Sequence, residues 1–282
     1  MVIEKNNILL NESKKSILYD VYFEPSATPK DVVIFSHGYK GFKDWGAWEL
    51  VAKAFAKAGF FFIKYNFSHN GGTVQQPMDF PDLEAFANNN YTLELEDLNR
   101  VVDFITSNNR FSKEISSKKI NLIGHSRGGG IVIIHGKEDP RVDSVITWAG
   151  VSDFKIRFQY GTKEFDNWLA SGVTYVENSR TKQELPHYFQ FFKDFEENEQ
   201  RLTISDAVIN LSKPQLIIHG SDDTTVSLNE AVAMNKWNPD SELEIINTAD
   251  HVFGSKHPWH DKKLPDDLQE AVNITLSFLN KH

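Results

Sequence analysis

A chain of 282 residues, 40% hydrophobic and 12% aromatic, can bury a sizeable core as one large domain or one domain with an insertion. Its formal net charge of −9 argues against a nucleic-acid or membrane partner, because binding phosphate-rich surfaces needs a basic face. The absence of cysteine excludes disulfides, thiolate catalysis and Cys-ligated zinc.

The first ten residues hold a short apolar patch interrupted by Glu4, Lys5, Asn6 and Asn7. No signal peptide or transmembrane span is read there, so a cytoplasmic protein is expected. Residues 2–24 read as two strands, and the turn-rich Pro25–Pro29 follows. Asp31–Ser36 is a continuous apolar run, as expected of a strand buried on both faces of a parallel sheet. It ends in the glycine-rich turn His37-Gly38-Tyr39-Lys40-Gly41. Trp48, Val51, Ala52 and Phe55 recur at helical spacing, which predicts a helix over 46–58, closed by Gly59. Phe60–Phe67 is a further buried strand, and Ser68–Asn90 reads as a long loop along the sheet's upper edge.

The pattern then predicts a helix over 92–107, a strand over 119–123, a helix to about His135, and a strand over 142–148. Strands at 213–220 and 242–246 follow, separated by a helix over 228–235, and an amphipathic helix over 265–280 ends the chain. This alternation means a doubly wound, mostly parallel α/β sheet. One segment breaks it: between Gly150 and Leu211 the chain leaves the sheet for too long to be a plain loop. The domain reading is therefore a core of 1–149 and 212–282 with an inserted cap over 150–211. Within the insertion, Gly172–Glu177 and the turn at Asn178–Thr181 suggest a hairpin. Tyr188, Phe189, Phe191, Phe192 and Phe195 form a dense aromatic stretch. Most of these rings are expected to pack the insertion onto the core, with a few facing a pocket.

Gly124-His125-Ser126-Arg127-Gly128 stands between a strand and a helix. A sharp turn there exposes the serine oxygen at the strand's end and sets its backbone at a helix N-terminus. A serine hydroxyl is a weak nucleophile at neutral pH and needs a base, which in turn needs a carboxylate to fix its tautomer. Both appear after later strands and in the order nucleophile, acid, base: Asp222 and Asp223 behind Gly220, then His251 behind Ala249-Asp250. The residues alone leave the two adjacent carboxylates as alternatives.

These motifs, with His37-Gly38, resemble the α/β-hydrolase superfamily, and within it serine esterases related to acylaminoacyl-peptidase and dienelactone-hydrolase domains. The resemblance covers nearly the whole chain. Its pattern from His219-Gly220 to Val226 implies Asp223 as the acid, and it implies His251 as the base. It also implies an oxyanion hole made by the backbone N–H groups of Tyr39 and Arg127. The stretch Tyr39–Trp45 is similar to the matching loop of a bacterial esterase subgroup.

The expected activity is hydrolysis of a small-molecule carboxylic ester through an acyl-enzyme on Ser126, with no cofactor and no metal. The same triad would also serve an amide or peptide hydrolase, and a non-catalytic binding module is a third reading. His125 and His219 are expected to be supporting residues. His69 reads as a loop histidine with a structural hydrogen bond. His257 and His260, near His251, match no zinc-ligand spacing. The aromatic insertion suggests an aromatic acyl group such as a hydroxycinnamate, and an exposed patch on it would support a homodimer.

Overall fold

The structure is a computed structural model and describes residues 1–107 and 110–282. Eight strands form one sheet in the order β1-β2-β4-β3-β5-β6-β9-β10. They are β1 (Val2–Leu9), β2 (Ile17–Phe23), β3 (Lys30–Ser36), β4 (Phe61–Tyr65), β5 (Ile115–His125), β6 (Val142–Trp148), β9 (Gln215–Gly220) and β10 (Glu242–Ile246). Strands β1, β2 and β4 pair antiparallel, and every pairing from β4 through β10 is parallel.

The continuous apolar runs are explained by burial on both faces. In β3, Val32 and Ile34 join one core layer while Val33 and Phe35 join the other. Helices α1 (Trp48–Lys57) and α10 (Asp266–Lys281) cover one face, packing Val51, Phe55, Leu268 and Val272 against Phe35 and Phe62. Helices α3 (Tyr91–Thr106), α4 (Arg127–Glu138) and α9 (Leu228–Trp237) cover the other. Edge strand β1 is only half-buried, as its charged and polar residues require.

Three expectations shift, one of them at β5, which begins at Ile115 rather than at Lys119. Residues 68–90 are not wholly loop: α2 (Leu83–Ala87) forms there, with the Asp82 carboxylate accepting from the Ala85 N–H at 2.9 Å. Helix α1 begins two residues late because Gly46 has φ +56° and donates its N–H to His257 Nδ1 at 3.0 Å.

The segment 150–211 lies outside the eight-stranded sheet. It holds a 3₁₀ turn (Lys155–Phe158), α5 (Lys163–Ser171), the antiparallel hairpin β7 (Val173–Glu177) and β8 (Glu184–Tyr188), then α6 (Gln190–Glu197), α7 (Glu199–Leu202) and α8 (Ile204–Ile209). Phe189, Phe191, Phe192 and Phe195 are buried in the same apolar layer as α3 and α4. The hairpin is anchored by Leu185, packed with Phe42, Phe80 and Phe86.

Candidate active site

Strand β5 delivers Ser126 and α4 begins immediately after it. Ser126 adopts φ 56° and ψ −121°, a strained region that costs a non-glycine residue about 1–3 kcal/mol. The surroundings hold it there: the Ser126 N–H donates to the Trp148 carbonyl at 3.0 Å, and the Ser126 carbonyl accepts from Gly129 at 2.9 Å. The flanking glycines are required by close approach. A Cβ on Gly124 would lie 2.2 Å from the Gly128 carbonyl oxygen, and one on Gly128 would lie 2.4 Å from that of Ser36.

The turns after β9 and β10 bring the other two groups to this corner. The Ser126 hydroxyl stands 3.0 Å from His251 Nε2, and His251 Nδ1 stands 2.7 Å from Asp223 Oδ2. With Nδ1–H donating to the carboxylate, Nε2 is free to accept the serine proton. The structure separates the two candidate acids. Asp223 is buried, and its other oxygen accepts the N–H groups of Thr225 and Val226, each at 2.8 Å. Asp222 is exposed and accepts from the Ser221 hydroxyl. Burial pushes the Asp223 carboxyl up, but hydrogen bonds from His219, His251 and the Val226 N–H outweigh it and hold it well below the usual range. It therefore stays ionised at neutral pH.

The remaining histidines support this frame. His219, fully buried, lies 3.3 Å from Asp223 Oδ2 and donates to the Val226 carbonyl at 2.9 Å. His125 Nε2 bonds the His251 carbonyl at 2.9 Å, so it braces the loop that carries His251. Burial and the neighbouring His251 lower His125 to about 3. Burial likewise lowers His37, which bonds the Gly38 carbonyl, to about 4. His69 bonds the Ser68 hydroxyl at 2.8 Å, as a structural histidine would. His257 packs edge-on against Phe42 and His260 is exposed. Among the described residues no cluster of His, Asp and Glu could hold a metal ion.

The loop after β3 presses on the elbow, since a Cβ on Gly38 would lie 2.9 Å from that of Ser126. This brings Tyr39 beside the serine. Arg127 opens α4, where the first N–H groups have no partner within the helix.

Sequence reasoning used only the backbones of these two residues, but their side chains matter as well. The Arg127 guanidinium pairs with buried Glu94 at 2.7 Å and lies over the Tyr39 ring, 4.8 Å from its centroid. Asn89 donates to the same Glu94 oxygen at 2.7 Å. The Tyr39 hydroxyl meets His187 Nε2 of β8 at 2.6 Å. Burial, with Arg127 and Lys40 nearby, lowers His187 to about 3. A chain of contacts therefore runs from α3 through the elbow to the hairpin of 150–211. Neither Glu94 nor His187 sits in a recognisable motif, so no local signal marked them.

Ser126 and Tyr39 lie between two chambers, of about 480 and 490 Å³. The first is walled by rings, among them Tyr91, Phe154, Phe158, Phe165, Trp168 and Phe191. Of the dense aromatic stretch, Phe191 reaches this chamber, while Phe189, Phe192 and Phe195 pack around Phe158 and Phe165. The second chamber is more polar and contains His251, Trp45, Lys40, Arg180, Lys256 and His257. Among the described residues no helix is long and apolar enough to cross a membrane.

A family model described as BD-FAE matches residues 19–237. A monoacylglycerol lipase of Mycolicibacterium smegmatis is 28% identical over 134 residues, which span 48% of this chain and 42% of that protein. Solved structures resemble the whole chain. Est1E from Butyrivibrio proteoclasticus with ferulic acid bound has a TM-score of 0.73 at 17% identity, covering 96% of this chain and 97% of that one. Mouse alpha/beta hydrolase domain-containing protein 10 has a TM-score of 0.72 at 16% identity, covering 98% of each. At these identities the likeness shows a shared fold, that of the α/β-hydrolases.

Proposed function

The chain belongs to the BD-FAE family, and on that premise we propose that it hydrolyses carboxylic esters through an acyl-enzyme on Ser126. The observation that carries this is the relay from Ser126 Oγ to His251 Nε2 at 3.0 Å and from His251 Nδ1 to Asp223 at 2.7 Å. Ser126 attacks the carbonyl carbon as its proton passes to His251. Asp223 stabilises the imidazolium that forms. The Tyr39 and Arg127 N–H groups receive the oxyanion, each contributing on the order of 10²–10³ in rate. Collapse of the tetrahedral intermediate breaks the ester C–O bond, and His251 returns the proton to the departing alcohol. A water then attacks the acyl-enzyme, with His251 again taking a proton, and releases the acid.

The leaving oxygen must lie within reach of His251, which lines the second chamber. The alcohol part is therefore assigned to that chamber and the acyl part to the ring-walled one. A planar aromatic acyl group suits such walls, through offset and edge-on ring contacts. Est1E, on the same fold, has been solved with ferulic acid, an aromatic acid. In this reading 150–211 is a cap that supplies the rings Phe154, Phe158, Phe165, Trp168 and Phe191.

One experiment tests both halves: initial rates on p-nitrophenyl esters of aromatic and short alkyl acids, for the native protein and for Ser126→Ala. The native protein should favour the aromatic acyl group, and Ser126→Ala should lose at least about 10⁴-fold with both. Turnover by Ser126→Ala at the native rate overturns the mechanism, and equal native rates overturn the acyl assignment.

A further inference from the structure

We propose that the second chamber selects esters whose alcohol part carries a negative charge, as a carboxylate or a phosphate monoester, recognised by Lys40, Arg180 and Lys256. This rests on the ester-hydrolase reading of Ser126 and adds the class of leaving group.

The two chambers meet at one serine but differ in charge. In the ring-walled chamber the cations are already matched: Arg127 pairs with Glu94 and Arg157 with Glu230. Its wall also includes the carboxylate of Glu164. The second chamber reverses this sign. Lys40, Arg180 and Lys256 line it, and no carboxylate does so among the described residues.

Of the acids behind its wall, two have cations outside the chamber and the third, Asp79, takes Arg180 itself. Asp79 pairs with Arg180 at 2.6 Å, Glu177 with Lys182 at 3.0 Å, and Asp44 with Lys43 and Lys64. Lys40 Nζ donates to the neutral carbonyl of Glu177, at 3.3 Å. Among the described residues that leaves the Lys40 and Lys256 ammonium groups without a carboxylate and Arg180 with one exposed partner. Three of the chamber's histidines, His37, His125 and His257, add no charge at neutral pH. Burial lowers His37 to about 4 and His125 to about 3, and burial with Arg180 nearby lowers His257.

In a chain of net charge −9, a cavity with a cationic wall next to the nucleophile acts on a substrate in two ways. It draws an anion in through the long-range field, and it holds the anion on the side where His251 must protonate the leaving oxygen. The opposite chamber carries no such surplus. An anionic group on the acyl side would face Glu164 and cations that are already paired.

The test uses three esters of one aromatic acid, with 3-hydroxypropanoate, with 2-hydroxyethyl phosphate and with the neutral 3-hydroxypropanamide. kcat/KM is measured for each at low and at high salt, for the native protein and for Arg180→Gln and Lys256→Gln. Both exchanged side chains are exposed, so folding should survive. The native protein should prefer at least one anionic ester over the neutral one by about tenfold or more at low salt. That preference should shrink at high salt, as screened charge interactions do, and each substitution should lower it. Which anion leads identifies the carboxylate or the phosphate as the natural group.

A native preference at or below one, or one that neither substitution moves, overturns the proposal while leaving the esterase reading intact. Failure on all three esters, together with no labelling of Ser126 by a fluorophosphonate, overturns both.

Discussion

Between Asp222 and Asp223 the chain turns from solvent into the site, so two identical side chains one residue apart meet opposite surroundings. Asp223 is buried with four hydrogen-bonding neighbours, and Asp222 is exposed on Ser221. Replacing Asp223 by Asn keeps the shape but removes the charge that favours the Nδ1–H tautomer of His251. kcat should fall by about 10³–10⁴-fold, while Asp222→Asn should keep its rate within about twofold on the same ester. Comparable losses in the two variants would contradict the assignment. The three proposed triad positions could be picked out in the sequence because each stands within five residues of a strand's end, and strand ends can be read from local pattern. Tyr39–His187 and Arg127–Glu94 could not. Those pairs depend on where 150–211 and α3 settle, which no local pattern encodes.

At the scale of elements, the loop bearing Tyr39 is fixed by charges buried beneath it. Asp20 on β2 lies 2.8 Å from Lys43 of the loop and 2.8 Å from Lys64 on β4, all three side chains fully buried, and Asp44 pairs with both lysines. Two anions and two cations balance. Burial opposes ionisation of Asp44, but the two lysines outweigh it and hold its carboxyl well below the usual range. Asp20→Asn leaves two buried ammonium groups facing one carboxylate, and removing one partner of a buried pair costs about 3–5 kcal/mol. Urea unfolding should report a loss of that order, together with lower activity as the loop loosens. A variant as stable as the native protein would contradict this role. Sequence pattern reads Asp20, Lys43 and Lys64 as ordinary strand and loop charges, because only the register of β2 with β4 makes them neighbours. Helix α2 escaped for a different reason. Its five residues are too few to display a helical period, and its only local signal is the capping Asp82.

For the whole molecule, buried histidines set an acid limit. His37, His125 and His187, held at about 4, 3 and 3 in the fold, titrate near 6.5 when unfolded. Above that value all three are neutral in both states and their burial is not opposed. As pH falls below it, the unfolded chain takes up protons that the folded chain refuses. Stability is then lost at roughly 1.4 kcal/mol per pH unit for each unmatched proton. Asp97, raised to about 6 mainly by burial, works in the opposite sense and offsets one of the three. The midpoint of thermal unfolding should therefore drop between pH 7 and pH 5, and a constant or rising midpoint would contradict this. The parallel core behind these groups was readable because strands buried on both faces must be continuously apolar. The internal arrangement of 150–211 was readable only at its hairpin, since its short helices are held by rings packed against α3 and α4.

The central claim concerns one oxygen atom, and a fluorophosphonate probe followed by peptide mapping tests it most directly. The account predicts a single adduct on Ser126, lost in His251→Ala because Nε2 no longer takes the serine proton. An adduct on another serine, or no adduct in a folded native protein that still cleaves esters, would contradict it.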